Sequence, residues 1–154
     1  MTELTIGTAA PAFSLPKDGG GTVSLADFAG KKLVLYFYPK DDTSGCTQEA
    51  MEFNALKAQF QAQNTEIVGV SPDPVKKHDK FKAKYELALT LISDEGTTML
   101  EAYGVWAEKS MYGRKYMGVE RTTFLIDEQG KIAAIWPKVK VPGHAAIVLE
   151  AARG

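Results

Sequence analysis

The sequence predicts an α/β fold with a mixed central sheet flanked by helices and an N-terminal β-hairpin. Three observations carry that prediction. The run Leu33-Val34-Leu35-Tyr36-Phe37-Tyr38 is almost unbroken in apolar character, as expected of a strand covered on both faces. A second apolar strand, Thr65–Ser71, follows after a stretch of helical period. Strand–helix–strand at this spacing implies a parallel pair with a right-handed crossover. Late in the chain, two short apolar segments flank Glu128-Gln129-Gly130, which reads as an antiparallel hairpin.

The remaining elements follow in order. Ala12-Phe13-Ser14-Leu15 and Thr22-Val23-Ser24-Leu25 alternate around Lys17-Asp18-Gly19-Gly20-Gly21, giving the N-terminal hairpin with a flexible tip. The glycine run lacks the Lys-Ser/Thr ending of a phosphate loop, and no buried strand precedes it. Pro39 and a polar turn stop the central strand. Thr43 or Ser44 caps a helix expected to continue to about Gln63, with Cys46, Ala50, Phe53, Leu56 and Phe60 at helical spacing. Beyond Ser71, Asp73 is expected as a cap and Pro74 as the first helical residue. The inner stripe of that helix is Val75, His78, Phe81 and Tyr85, with His78 read as partly exposed and unconnected to Cys46. Leu89 to Ile92 is a short strand, and Asp94 to Tyr103 a short helix ended by Gly104. Trp106 to Arg114 mixes aromatics and charges without a period, so it reads as loop with an irregular strand. Arg121 to Ile126 and Lys131 to Trp136 pair across the Gly130 turn. Pro142-Gly143 leads into a C-terminal helix with Ala146, Val148, Leu149 and Ala152 available to pack. No repeat or linker interrupts residues 1–154, which read as one domain.

Composition narrows the classes of function. The chain has 154 residues, 45% apolar and 24% charged, with net charge −1. That describes a soluble globular protein with a core that needs no staples. No basic run stands out, which argues against nucleic acid or an anionic membrane surface as partner. Met1-Thr2-Glu3-Leu4-Thr5 has no pattern of a signal peptide. No apolar run approaches the ~20 residues needed to span a bilayer. One cysteine excludes an internal disulfide, and with two histidines no zinc framework is visible. The expectation is a cytoplasmic protein without metal or cofactor, and no long exposed apolar helix face demands a partner.

That one cysteine is the chemical focus. Cys46 falls in the first turn of the helix after the central strand. Unpartnered backbone N–H groups and the positive end of the helix dipole stabilise a thiolate there, and the thiolate is the nucleophile. The alternative is a structural cysteine, since free Cys is among the most buried residue types. The strand–turn–helix setting and polar lead-in favour the reactive thiol.

Pro39, Thr43 and Cys46 match Pro-x-x-x-Thr/Ser-x-x-Cys, and the surrounding Phe37-Tyr38-Pro39-Lys40-Asp41-Asp42-Thr43 and Cys46-Thr47-x-Glu49-Ala50 extend the match. So do Met111 to Gly118 and Glu120 to Asp127, in the same order along the chain. On these blocks the sequence resembles the peroxiredoxins, in particular the bacterioferritin comigratory protein (Q-type) subfamily. The resemblance implies a thioredoxin-like fold and a thiol-dependent peroxidase. It gives Cys46 the nucleophile's role, Pro39 the shielding of the thiolate, Thr43 a hydrogen bond to peroxide, and Arg121 a cation. Glu49 is expected to brace the helix start, with Arg121 as a candidate partner, rather than to act in acid–base catalysis. Lys40, Asp41 and Asp42 read as a solvated turn.

Many members of the subfamily carry a second, resolving cysteine where this chain has Met51, and others where it has Lys82. This chain has neither. The implied route is therefore one-cysteine: a sulfenic acid on Cys46 is returned to the thiol by thioredoxin, glutaredoxin or glutathione. A peroxide-sensing relay that oxidises at Cys46 without efficient turnover is the second reading. A disulfide oxidoreductase is argued against by the lack of any Cys-x-x-Cys pair.

Overall fold

A computed structural model describes residues 4–154; the start of the chain, read above for a leader, lies partly outside the described residues. Strands β1 (Ser14–Pro16) and β2 (Thr22–Ser24) form the N-terminal hairpin. Strand β3 (Lys32–Phe37) is buried almost throughout. Its side chains alternate as strand geometry requires. Leu33, Leu35 and Phe37 enter one core cluster, and Val34 and Tyr36, followed by Tyr38, enter the other.

Helix α1 (Ser44–Ala55) follows β3, and α2 (Lys57–Ala62) follows α1. The expected single helix is thus broken at Leu56, whose backbone N–H bonds to Phe53 O, one residue short of the α pattern. No Gly or Pro marks the break in sequence. Phe53 and Phe60, on either side of it, still pack together with ring centroids 6.0 Å apart.

Strand β4 (Thr65–Ser71) pairs in parallel with β3, as the crossover argument requires. In helix α3 (Val75–Tyr85), Pro74 is the cap and Val75 the first helical residue. Asp73 does not cap this helix; its carboxylate accepts from the Ser71 hydroxyl and the Asp41 backbone N–H. Strand β5 (Thr90–Ser93) is parallel to β4. Helix α4 (Thr98–Ala102) starts later than expected, because Thr97 takes the left-handed conformation at its N-terminus.

The largest difference from the sequence reading follows. Trp106–Met111 (β6) and Arg114–Val119 (β7) form a regular antiparallel ribbon. Tyr112 and Gly113 between them both have positive φ, as a two-residue hairpin turn demands. Most of the ribbon is exposed on both faces, so no burial pattern marks it in the sequence. Strands β8 (Thr122–Ile126) and β9 (Ile132–Trp136) complete the central sheet, ordered β5-β4-β3-β8-β9. Helix α5 (His144–Ala152) closes the chain. It packs through His144, Ala145, Val148, Leu149 and Ala152; Ala146 faces outward.

Helices α1, α2, α3 and α5 cover one sheet face, while α4, the N-terminal hairpin and residues near the ends of the β6–β7 ribbon cover the other. Among the described residues no helix is long and apolar enough to cross a membrane.

Gly69 of β4 shows how closely β3 and its neighbours are packed. A Cβ there would lie 2.7 Å from the Leu91 side chain and 2.8 Å from the Tyr36 ring, both fully buried. Gly69→Ala is therefore expected to lower stability by about 1–3 kcal/mol through overpacking. Urea unfolding would show the drop; an unchanged midpoint would mean that Tyr36 can shift without cost.

Candidate active site

The site is built where β3 ends. The chain leaves the sheet at Tyr38 and passes through Pro39 to Asp42, which takes a left-handed φ of 61°. It then enters α1 at Ser44, with Thr43 at the cap position. The Thr43 hydroxyl does not cap the helix; it donates to Lys40 O at 2.9 Å. Cys46, in the first turn, is 2% exposed and is free. It lies in the cluster of Tyr36, Tyr38, Ala50 and Phe53.

Arg121 arrives from the other side, one residue before β8. Its Nη2 donates to Cys46 Sγ at 3.3 Å, and its Nη1 donates to Glu49 Oε1 at 2.6 Å. One guanidinium thus spans the thiol and the carboxylate, using the fork geometry that suits arginine to such a role. Burial disfavours the Arg121 charge, but Glu49 and Cys46 outweigh it and hold the group protonated. Gly45 makes room for this approach: a Cβ there would stand 3.3 Å from Arg121 Nη2.

Glu49 is 1% exposed. Burial pushes its carboxyl up to about 7, against the opposing pull of Arg121. Its second oxygen, Oε2, and the Tyr36 hydroxyl are buried without a hydrogen-bond partner among the described residues. Burial first, and then the Glu49 charge, push the Tyr36 hydroxyl well above the ordinary phenol range. The tyrosine stays neutral beside the charged pair.

The structure therefore joins Cys46, Arg121 and Glu49 directly, and the expected Glu49–Arg121 pairing is present. Pro39, half-buried, and Thr43 belong to the same short loop. Two residues read as peripheral are not. His78 is fully buried, not partly exposed, and its Nδ1 lies 2.6 Å from Asp41 Oδ2. Asp41 is 6% exposed and accepts the Tyr38 hydroxyl at 2.5 Å, so the turn is only partly solvated. His78's place in the inner stripe was the available signal; Asp41 had none.

Residues 6–135 match the AhpC/TSA family. A Coxiella burnetii protein named as the peroxiredoxin Bcp is 53% identical over 147 residues, covering 96% of this chain and 97% of the relative. The chain is a peroxiredoxin of the AhpC/TSA family. Peroxiredoxin Bcp of Bacillus subtilis is 47% identical, over 96% of this chain and 94% of its own. The solved peroxiredoxin Q of Xanthomonas campestris superposes with a TM-score of 0.90 at 45% identity, covering 97% of this peroxiredoxin and 95% of that chain. A second solved structure, of the Xanthomonas campestris bacterioferritin comigratory protein, concerns alkyl peroxide reduction and trapped intermediate or ligand complexes. It is 44% identical with a TM-score of 0.90, over 97% of this chain and 96% of its own. The thioredoxin-like fold and the Q-type membership expected from sequence are both borne out.

Proposed function

We propose that this peroxiredoxin reduces hydroperoxides through the Cys46 thiolate and is returned to the thiol by an outside thiol. The observation that carries the reading is Arg121 Nη2 at 3.3 Å from Cys46 Sγ in the first turn of α1. The thiolate attacks one oxygen of the peroxide, the O–O bond breaks, and the other oxygen leaves with the electron pair and takes up a proton. The products are water or an alcohol and a Cys46 sulfenic acid. Arg121 lies where it can donate both to the thiolate and to charge developing on the peroxide oxygens. The Thr43 oxygen, whose proton is given to Lys40 O, accepts from the peroxide O–H. Pro39 shields the thiolate from water. Glu49 holds the guanidinium in place.

With Cys46 as the only cysteine, the sulfenic acid condenses with an external thiol, releasing water, and a second thiol frees Cys46 as the mixed disulfide is reduced. Thioredoxin, glutaredoxin and glutathione are the reductants that fit, and with them we infer a cytoplasmic protein acting as a monomer. Met51 is half exposed on α1, and Lys82 pairs with Asp18 of the N-terminal hairpin, so neither position offers a resolving thiol. Membership of a peroxidase family favours turnover over the single-oxidation relay.

The test is a single turnover read by intact mass. One equivalent of hydrogen peroxide should consume the thiol far faster than it consumes a free small thiol at the same pH, leaving one added oxygen on Cys46. Added glutathione should then convert that species to a mixed disulfide and finally to the thiol. Thiol loss no faster than the free thiol's would reject the peroxidase reading; an oxidised form that no thiol restores would favour the relay.

A further inference from the structure

His78 sits at the centre of a buried polar assembly that the proposed reaction does not use. Its Nδ1 faces Asp41 Oδ2 at 2.6 Å, and its Nε2 faces the carbonyl of Ile92 at 3.0 Å. A carbonyl only accepts. Asp41 already accepts the Tyr38 hydroxyl on its other oxygen. The doubly protonated imidazolium is the form that gives both ring nitrogens a proton to donate. Asp41 of the β3–α1 loop and Ile92 of β5 touch this ring, Asp73 beyond the end of β4 adds its charge, and Tyr38 and Ser71 donate to those two carboxylates. Lys77 of α3 lies 3.7 Å from Asp73. Burial lowers the His78 proton affinity, but the Asp41 hydrogen bond and charge outweigh it and leave the group raised above the ordinary histidine value.

Asp41 is not a bystander in the loop. It lies between Pro39 and Thr43, and its backbone N–H is itself held by Asp73 at 2.7 Å. The next residue, Asp42, is tied to the same helix by Lys84 and by Tyr85. The loop that sets the entry angle of α1 is thus fastened to α3 at two consecutive residues, and only the Asp41 fastening is buried. We propose that His78 and Asp41 are a positioning pair: the imidazolium on α3 fixes the carboxylate that pins the Pro39–Thr43 loop, and so sets how the Cys46 thiolate is presented. This rests on the reading of Cys46 as the nucleophile. The fastening weakens as pH rises through the folded-state proton affinity of His78, because the neutral ring must leave one of its two acceptors without a donor.

Two variants separate positioning from simple packing. His78→Gln keeps an amide toward Ile92 O but withdraws the donor from Asp41. His78→Asn offers a neutral donor toward Asp41. Cys46 reactivity is followed between about pH 5 and about pH 9, the span that covers histidine titration, with iodoacetamide and separately with one equivalent of hydrogen peroxide. His78→Gln is expected to slow both reactions by about tenfold or more per folded molecule, in keeping with the rate cost of a displaced nucleophile, and to lose the step that His78 deprotonation puts into the wild-type profile. His78→Asn is expected to recover most of the rate near neutrality but not that step. A folded His78→Gln protein with wild-type rates and an unchanged pH profile overturns the proposal. Should that variant not fold, the wild-type His78 ring is titrated by NMR. A neutral ring at the pH of fastest alkylation also overturns it, and an imidazolium whose loss coincides with the step supports it. Alkylation needs no peroxide, so a normal alkylation result with no peroxide reaction would reject the peroxidase reading and leave the positioning pair standing.

Discussion

Cys46→Ser is expected to abolish peroxide consumption, with a loss of about four orders of magnitude or more, the scale seen when an enzyme's nucleophile is removed. The substitution changes one atom. A serine hydroxyl does not ionise near neutral pH and is a poor nucleophile toward an O–O bond, whereas a thiolate is a soft, strong one. The surroundings would remain: Arg121 still pairs with Glu49, and the cluster of Tyr36, Ala50 and Phe53 still closes over the side chain. Thermal unfolding should therefore move little while steady-state peroxide removal with a thioredoxin system disappears. There is no second cysteine to take over. Retained consumption would place the chemistry outside the cysteine altogether and sink the proposed mechanism.

The parts of this molecule that were legible in sequence are those in which one local pattern suffices. Leu33 to Tyr38 announces a strand buried on both faces because no polar residue interrupts it. The position of Cys46 in a first helical turn follows from the polar lead-in and the stripe after it. The parts that were not legible depend on surroundings. The β6–β7 ribbon carries no alternation because solvent lies on both sides of it, so Trp106 to Arg114 gave no period to read. His78 presented two conflicting signals. Its spacing pointed inward and its residue type outward, and the partner that resolves the conflict, Asp41, is 37 positions away in the chain. Arg121 is of the same kind: as a residue it reads as a strand-end surface cation, and only the match to a known motif brought it to the thiol, 75 positions away.

Arg121→Ala should injure both reaction and fold, in ways that pH separates. The sulfur loses the cation that donates to it at 3.3 Å, and Cys46 oxidation should slow by about a hundredfold or more, the scale of losing one donor to developing negative charge. The fold suffers through Glu49. Removing one partner of a buried pair costs about 3–5 kcal/mol, because the remaining charge is stranded. Glu49 escapes part of that cost by taking a proton. Its carboxyl already stands at about 7 with Arg121 in place, and without the cation it rises further. A carboxyl raised in the folded state binds more protons folded than unfolded, so its contribution is fully present below the unfolded value and is lost as pH rises through the folded one. The wild-type protein should therefore give up this contribution by about pH 7, whereas the variant should keep losing stability at higher pH. Denaturant unfolding at acid and alkaline pH would test this, with Arg121→Ala/Glu49→Gln as the control. The double variant should regain much of the stability and lose the alkaline sensitivity, while Cys46 oxidation stays slow because the thiolate still lacks its cation. Recovery of the oxidation rate in the double variant would instead mean that Arg121 acts only by neutralising Glu49, and its place beside the sulfur would carry no chemistry.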